Sequence, residues 1–455
     1  MFILTALFAA MDSLLANLER LLPADATGLV IALSGGLDSS CLATAVAEAA
    51  ERAALPAGLP IRAVHVDHGL QSASNAFLEQ SAALCRRLRV ALAIVVVHVE
   101  LPPGASVEAA AREVRYAALA GQLAKGECLL TAHHGQDQAE TFLLQALRGA
   151  GSKGLACMPA VRALGAGWHL RPLLAVSRKE LAQYAADHGI SAIEDPMNRD
   201  QRFDRSFLRH AIWPQLERRW PGAGTSLARA AQHSADAQHL IDELADQDLA
   251  GVRDGGGLSV TGLRRLKPSR RINALRRWLA LSGATLPSTA HLTEALRQML
   301  EARDDHLPVV IWAGHALRRY RERIFLTAAD LPRLRGAIEW DWRAHPVLEL
   351  GEGLGRLRAS VRPGGLGLDG ISAPLRVHAR AGGERMRIAS NGRVQSVQHL
   401  CQEQGILPWA RDALPFIYLG EELLAIADLW SSARRHGAAD APGLCFAWEG
   451  APVVC

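Results

Sequence analysis

Two hydrophobic rhythms alternate through the first half of the chain. Short runs rich in Val, Ile and Leu at 29–33, 61–67, 90–99 and 127–132 predict buried strands. Between them, near 38–53, 74–89, 106–124 and 136–148, apolar residues recur at helical spacing. Strands separated by helices of that length predict an α/β, Rossmann-like parallel sheet covered on both faces. Ligands of such sheets gather beyond the carboxyl ends of the strands. There the chain places Ser34-Gly35-Gly36 after the first strand, Asp67-His68 after the second and His133-His134 after the fourth.

The pattern then changes. From about Asp204 to Asp246 it is helical with polar spacing, and 257–325 reads as a compact, mainly helical, basic unit. The stretch 331–370, with Gly364-Gly365, reads as irregular or β-rich, and a final module mixes strand and helix signals. The expected organisation is an α/β domain over 11–215, a connecting helix over 216–250, a basic helical domain over 251–330, a linker over 331–372 and a small α+β domain over 373–448. A chain of 455 residues is too long for one ordinary core, in keeping with several domains.

Composition narrows the class. With 49% hydrophobic and 21% charged residues, the chain is globular and not disordered. Its seven cysteines are scattered and form no C-x-x-C pair, which argues against a disulfide framework or zinc ribbon and for a reducing cytoplasm. Met1–Ala10 is apolar but lacks a basic leader, and no run is long enough to span a membrane. Met11-Asp12-Ser13 opens an amphipathic pattern (Leu14, Leu15, Leu18, Leu21, Leu22), so the first ten residues read as an early start-codon choice. A cytoplasmic protein with no membrane partner is expected.

Charge is uneven. Between Gly251 and Phe325, fourteen Lys/Arg face six Asp/Glu, a local +8 within a chain whose total is +4. Arg264, Arg265, Lys267, Arg270, Arg271, Arg276 and Arg277, followed by Arg318 and Arg319, are candidate contacts for a polyanionic partner. A solvated arginine-rich face would give the same pattern.

The stretch Leu29-Val-Ile-Ala-Leu-Ser-Gly-Gly-Leu-Asp-Ser-Ser40 carries the most specific chemistry. A strand, a glycine turn and a helix N-terminus form an anion site from backbone amides and helix dipole. Asp38 suits a metal that phosphate also touches. No Lys follows the glycines, so this is not a Walker loop. It resembles the S-G-G-x-D-S loop of PP-loop ATP pyrophosphatases, which cleave ATP between its α- and β-phosphates. The second constellation is Thr131-Ala-His-His-Gly-Gln-Asp-Gln-Ala-Glu-Thr141, in which Asp137 and Glu140 share a helix face near His133. Two carboxylates and a histidine beside a phosphate site can bind metal, orient a cation or move protons.

The order of further motifs is similar to that of the tRNA(Ile)-lysidine synthases. They are Val64-His-Val-Asp-His-Gly-Leu70, Ala111-Arg-Glu-Val-Arg-Tyr116, Leu147-Arg-Gly-Ala-Gly151, Arg171-Pro-Leu-Leu174 and Glu194-Asp-Pro-Met-Asn198 with Arg205 and Arg209. Arg380-Ala-Gly-Gly-Glu-Arg385 and Pro408-Trp-Ala-Arg-Asp412 extend the likeness to the C-terminal module. The resemblance implies ATP-dependent adenylation of the wobble cytidine of CAU-anticodon tRNA(Ile), then attack by free L-lysine to give lysidine, AMP and pyrophosphate. It implies that Ser34, Gly35, Gly36, Leu37, Asp38, Ser39, Ser40 and Asp67 bind ATP, with Asp38 on Mg²⁺. By the same likeness Asp137 and Glu140 receive lysine, while His133, Arg112, Arg115 and Arg205 act with Asp38 in catalysis around the α-phosphate. A homodimer is compatible with it. The chain departs from the family pattern at Gln136, where a second Asp is usual, at Ser206 after Arg205, and at Gln398-His399-Leu400-Cys401. Rival readings are a PP-loop tRNA thiolase, an ammonia- or glutamine-dependent synthetase, and an RNA-binding protein with a decayed nucleotide site.

Overall fold

The computed structural model describes residues 16–451 except 53, 57, 68–73, 99–106, 192, 194–199, 304–305, 372–373, 391 and 439. The helix expected to open at Met11 lies outside the described residues as far as Leu15; residues 16–21 are helical, with Leu18 fully buried. His68 and the Glu194–Asn198 motif also lie outside them. The chain forms two compact units, Met1–Ile241 and Asp242–Cys455.

In the first unit, β1 (Gly28–Ala32), α1 (Leu37–Glu51), β2 (Ile61–Asp67), α2 (Ser74–Leu88), β3 (Ala91–Val96), α3 (Val107–Gly121), β4 (Glu127–Leu130) and α4 (Gly135–Leu147) follow the expected alternation. The hairpin β5 (Val161–Leu164) and β6 (Gly167–Leu170) then completes a sheet of order β3-β2-β1-β4-β6-β5. Neighbouring pairs are parallel except β5–β6. β1 and β4 are buried almost throughout, which is why their sequences run apolar without alternation. Leu29, Ile31, Leu42, Val46, Cys128, Leu130 and Leu170 belong to one core cluster on this sheet. At Gly167 a Cβ would lie 2.1 Å from the Glu127 carbonyl oxygen, so only glycine lets β6 close on β4.

The helical stretch after Asp204 is not one connector. A short helix (Asp204–Phe207), a π turn (Leu208–Ile212) and α5 (Trp213–Arg219) precede the long α6 (Ala223–Val252). Pro221 and Gly222, the latter at φ 87°, break the chain between α5 and α6.

The second unit begins with β7 (Arg253–Asp254), β8 (Gly257–Ser259), α7 (Val260–Arg265), α8 (Pro268–Leu281), α9 (Thr289–Glu301), β9 (Val309–Trp312), β10 (His315–Tyr320) and β11 (Arg323–Ala328). Three helices are present, but so is a five-stranded antiparallel sheet, order β7-β8-β11-β10-β9, which the reading as a basic helical domain did not include. Leu275, Leu279, Leu292 and Met299 of the helices pack with Leu258, Leu317 and Ile324 of the sheet in one core. The stretch read as a linker is part of the C-terminal fold. Ala337–Trp340 pairs with Leu375–His378, and Arg356–Pro363 pairs with Pro442–Glu449. Both pairings are long-range, so no local pattern announces them.

Candidate active site

The loop after β1 is held by its own side chains. Gly35 has φ 80°, and a Cβ there would stand 2.8 Å from the Phe77 carbonyl oxygen, so the turn requires glycine. Ser39 donates to the Gly36 carbonyl oxygen at 3.0 Å, and its hydroxyl accepts from the Ser34 amide at 3.2 Å and lies 3.0 Å from the Ser34 hydroxyl. Ser40 donates to the same Gly36 oxygen at 2.9 Å. Gly36 is the N-cap of α1 and offers no side-chain cap, so the first amides of a fifteen-residue helix stay available to an anion. Leu37 and Asp38 stand in its first turn, and the Asp38 side chain is 43% exposed. Asp67 ends β2 at the same edge of the sheet.

α4 brings the second constellation to that edge. The His134 amide donates to Asp137 Oδ2 at 3.0 Å and caps the helix. His134 Nε2 lies 3.7 Å from Asp38 Oδ2 and 3.6 Å from Asp137 Oδ2, so one imidazole joins the glycine loop to the acidic helix. Although the Asp38 side chain keeps part of its surface, the protein packed around it strips water from the carboxyl and pushes it above the usual range; His134 opposes this and Asp137 reinforces it. Burial also works against ionisation of Asp137, but His134, Arg205 and the His134 amide outweigh it and hold that carboxyl below its usual range.

Asp137 and Glu140 face the same way, as their spacing predicted, and two arginines clamp them. Arg205 reaches Asp137 Oδ1 and Glu140 Oε2, both at 3.0 Å. Arg209 reaches Glu140 Oε1 at 2.8 Å and Oε2 at 2.7 Å, and Asp137 Oδ1 at 3.2 Å. Gln136 donates its amide to Glu140 Oε1 at 3.0 Å, so the departure from the family pattern supplies a donor where a third carboxylate would repel. Glu140 is fully buried and accepts four hydrogen bonds. The sequence reading gave Arg205 a phosphate; here it holds carboxylates. Arg209, four residues on and therefore on the same helical face, was left without a role.

Arg112 and Arg115 of α3 gather around the Tyr116 ring with Arg162 of β5, their guanidinium carbons 5.1, 5.6 and 5.2 Å from its centroid. His133 hydrogen-bonds through Nδ1 to the Thr131 hydroxyl at 2.8 Å. Burial, with Arg171, Arg112 and Arg115 nearby, pushes the His133 imidazole down to about 3. His169 on β6 is buried and pushed down to about 2, by burial first and then by Arg171 and Arg162. Sequence reading missed Thr131, His169 and Arg162 as site residues. His169 reaches the site because β6 pairs with β4, placing it opposite Leu129, and the hairpin places Arg162 opposite it.

The PP-loop domain family matches residues 10–216, the TilS substrate binding domain 258–325 and the TilS substrate C-terminal domain 375–448. The tRNA(Ile)-lysidine synthase of Alkalilimnicola ehrlichii is 44% identical over 416 residues, covering 90% of this chain and 91% of its own. That of Pseudomonas putida is 41% identical, covering 88% and 92%, and that of Coxiella burnetii 38%, covering 87% of each.

The chain belongs to the tRNA(Ile)-lysidine synthases.

In this lysidine synthase the segment that matches the substrate binding domain coincides with the basic stretch, and its cations divide by environment. Arg264, Arg265 and Lys267 are exposed. Arg264 also donates to the Leu300 carbonyl oxygen, and Arg271 to those of Leu266 and Arg264 at 2.8 and 2.6 Å. Arg270 is paired with Asp248, and Arg277 with Asp246 at 2.9 Å and Asp242 at 3.4 Å. All three acids lie on α6, before the window in which the charge excess was counted. Arg276 is half-buried. Arg318 bonds to the Thr327 hydroxyl at 3.0 Å. Arg319 corrects the sequence reading. It is 2% exposed and ties the carbonyl oxygens of Met299, Ala302 and Arg321 at 3.0, 2.8 and 2.8 Å, a core role that leaves no face for RNA.

Proposed function

We propose that the protein joins lysine to C2 of the wobble cytidine of CAU-anticodon tRNA(Ile), spending ATP to AMP and pyrophosphate. The observation that carries this reading is the bridge from Asp38 through His134 to Asp137, which sets the anion loop beside the acidic helix. ATP would lay its phosphates on the free amides of α1, with the hydroxyls of Ser34, Ser39 and Ser40 turning from their loop partners to donate to them. Cytosine O2 attacks the α-phosphorus and pyrophosphate leaves. A lysine amine then attacks C2, loses a proton, and the C2–O bond to AMP breaks. An anticodon loop presents the base unstacked, which lowers the cost of bringing its edge to the phosphorus.

Mg²⁺ fits Asp38. Burial and the neighbouring Asp137 disfavour its bare negative charge, and a divalent cation would relieve both. Among the described residues no cluster of three or more His, Cys, Asp or Glu could hold a metal. Mg²⁺ would neutralise charge on the phosphates. Asp137 and Glu140 are offered to the lysine ammonium groups, whose entry must displace guanidinium contacts of Arg205 and Arg209. Exposed Arg264, Arg265 and Lys267 are proposed to hold tRNA backbone. No described helix is long and apolar enough to cross a membrane, and a cytoplasmic setting is proposed with the tRNA substrate.

Thiolation is a poorer fit. Burial pushes the Cys41 thiol up to about 12 and those of Cys128 and Cys157 to about 11, whereas a sulfur nucleophile needs a depressed value. The test combines the full-length protein with ATP, Mg²⁺, labelled lysine and a CAU-anticodon tRNA(Ile) transcript. Label in tRNA with one AMP per lysine is expected. ADP as product, or transfer no greater than in Asp38→Ala, would sink the reading.

A further inference from the structure

Behind His133, one set of hydrogen-bond directions leaves neither the His169 proton nor the Thr131 proton without an acceptor among the described residues. His169 Nδ1 lies 3.2 Å from Arg162 Nε and 3.2 Å from the terminal Arg171 Nη2. A guanidinium has donors only, so Nδ1 must carry a lone pair. The His169 proton is therefore on Nε2, which lies 2.8 Å from the Thr131 hydroxyl oxygen and donates to it. The two imidazoles are the hydroxyl's hydrogen-bond partners among the described residues, so its single proton goes to His133 Nδ1 at 2.8 Å. His133 Nδ1 is thus an acceptor, and the proton of the neutral ring sits on Nε2.

From this chain we infer that Arg162, Arg171, His169 and Thr131 are positioning residues that fix His133 as a neutral Nε2–H donor. The inference rests on the adenylation reading above for its chemical purpose. In that reaction His133 donates a hydrogen bond from Nε2 to an oxygen that gains charge, on phosphorus or on C2 of the cytosine. It does not take the proton of the lysine amine, because its only lone pair is occupied by Thr131. The setting supports a neutral ring: Thr131, His169 and Arg171 are all buried, and arginines crowd the imidazoles. The strand pairing makes the relay, since β4 supplies Thr131 through its continuation and β6 supplies His169.

Nitrogen-15 NMR of histidine-labelled full-length protein reads the tautomer directly, with His133 assigned by His133→Gln. The Nε2–H form is expected near neutral pH without any substrate. Thr131→Val, which keeps shape and removes the hydroxyl, should mix the tautomers and lower kcat for AMP formation about 10- to 100-fold, with KM for ATP changed less than about twofold. Thr131→Ser should restore both the spectrum and kcat. If Thr131→Val does not fold, the wild-type spectrum still decides. His133 found as Nδ1–H or as imidazolium, or an unchanged kcat in a folded Thr131→Val protein, overturns the relay. A wild-type protein that shows the Nε2–H signal but makes no AMP would instead refute the proposed function.

Discussion

Arginine does opposite work in two regions of this molecule. In the catalytic unit, Arg205 and Arg209 come from beyond the sheet to satisfy Glu140, a carboxylate with no exposed surface. In the basic segment, Arg277 pairs with Asp246, whose side chain is 47% exposed. Both are short ion pairs, yet only the first lies where water cannot replace a missing partner. Burial sets the consequence of breaking a pair, and the number of pairs says little.

That contrast can be broken in steps. Glu140→Ala removes the acceptor of four hydrogen bonds and leaves Asp137 alone to hold both guanidinium groups; a loss of about 3–5 kcal/mol in urea unfolding of the full chain is expected, together with loss of lysine transfer. Stability within about 1 kcal/mol of wild type would show that the clamp is solvated. Arg319→Met comes next. It strips donors from buried carbonyl oxygens and should cost about 2–4 kcal/mol, while tRNA affinity of the folded protein stays the same. A large loss of affinity with unchanged stability would return Arg319 to the RNA surface.

The histidines add a pH arm. His133 and His169 sit at about 3 and about 2, below the ordinary 6.5. Above that value neither folded nor unfolded rings are charged, and the pair contributes nothing to pH dependence. Below it the unfolded chain takes up protons that the folded site refuses, so stability falls with pH by up to about 1.4 kcal/mol per unit for each ring. His169→Gln should remove one of the two slopes from urea midpoints measured between neutral and mildly acidic pH; an unchanged slope would refute its low value. The smallest effects belong to the exposed cations. Lys267→Ala should weaken tRNA binding modestly and reduce the log–log salt slope by about one, whereas Asp246→Asn, by releasing Arg277, should steepen it. If the two variants shift the slope in the same direction, free and paired cations are not distinct populations.

How much was legible depended on the range of the interactions. The βα alternation, the glycine loop and the shared face of Asp137 and Glu140 are local, set by propensity and periodicity within a dozen residues. They appeared close to where the sequence placed them. The partners of those groups are remote. Arg205 lies 65 residues from Glu140, and His169 lies 38 from Thr131. The strands within 331–372 were unreadable as part of a domain, because Arg356–Pro363 finds its partner at Pro442–Glu449.

The sequence alone determined the alternation of the catalytic unit, the anion loop and its single carboxylate, and the family, because each is written in residues close together in order. Tertiary structure alone decided that Asp137 and Glu140 are capped by arginines, that Arg319 belongs to the core, and which nitrogen of His133 holds its proton. Those outcomes depend on which strands pair and which groups lose water, and a string of residue types specifies neither until the chain has folded.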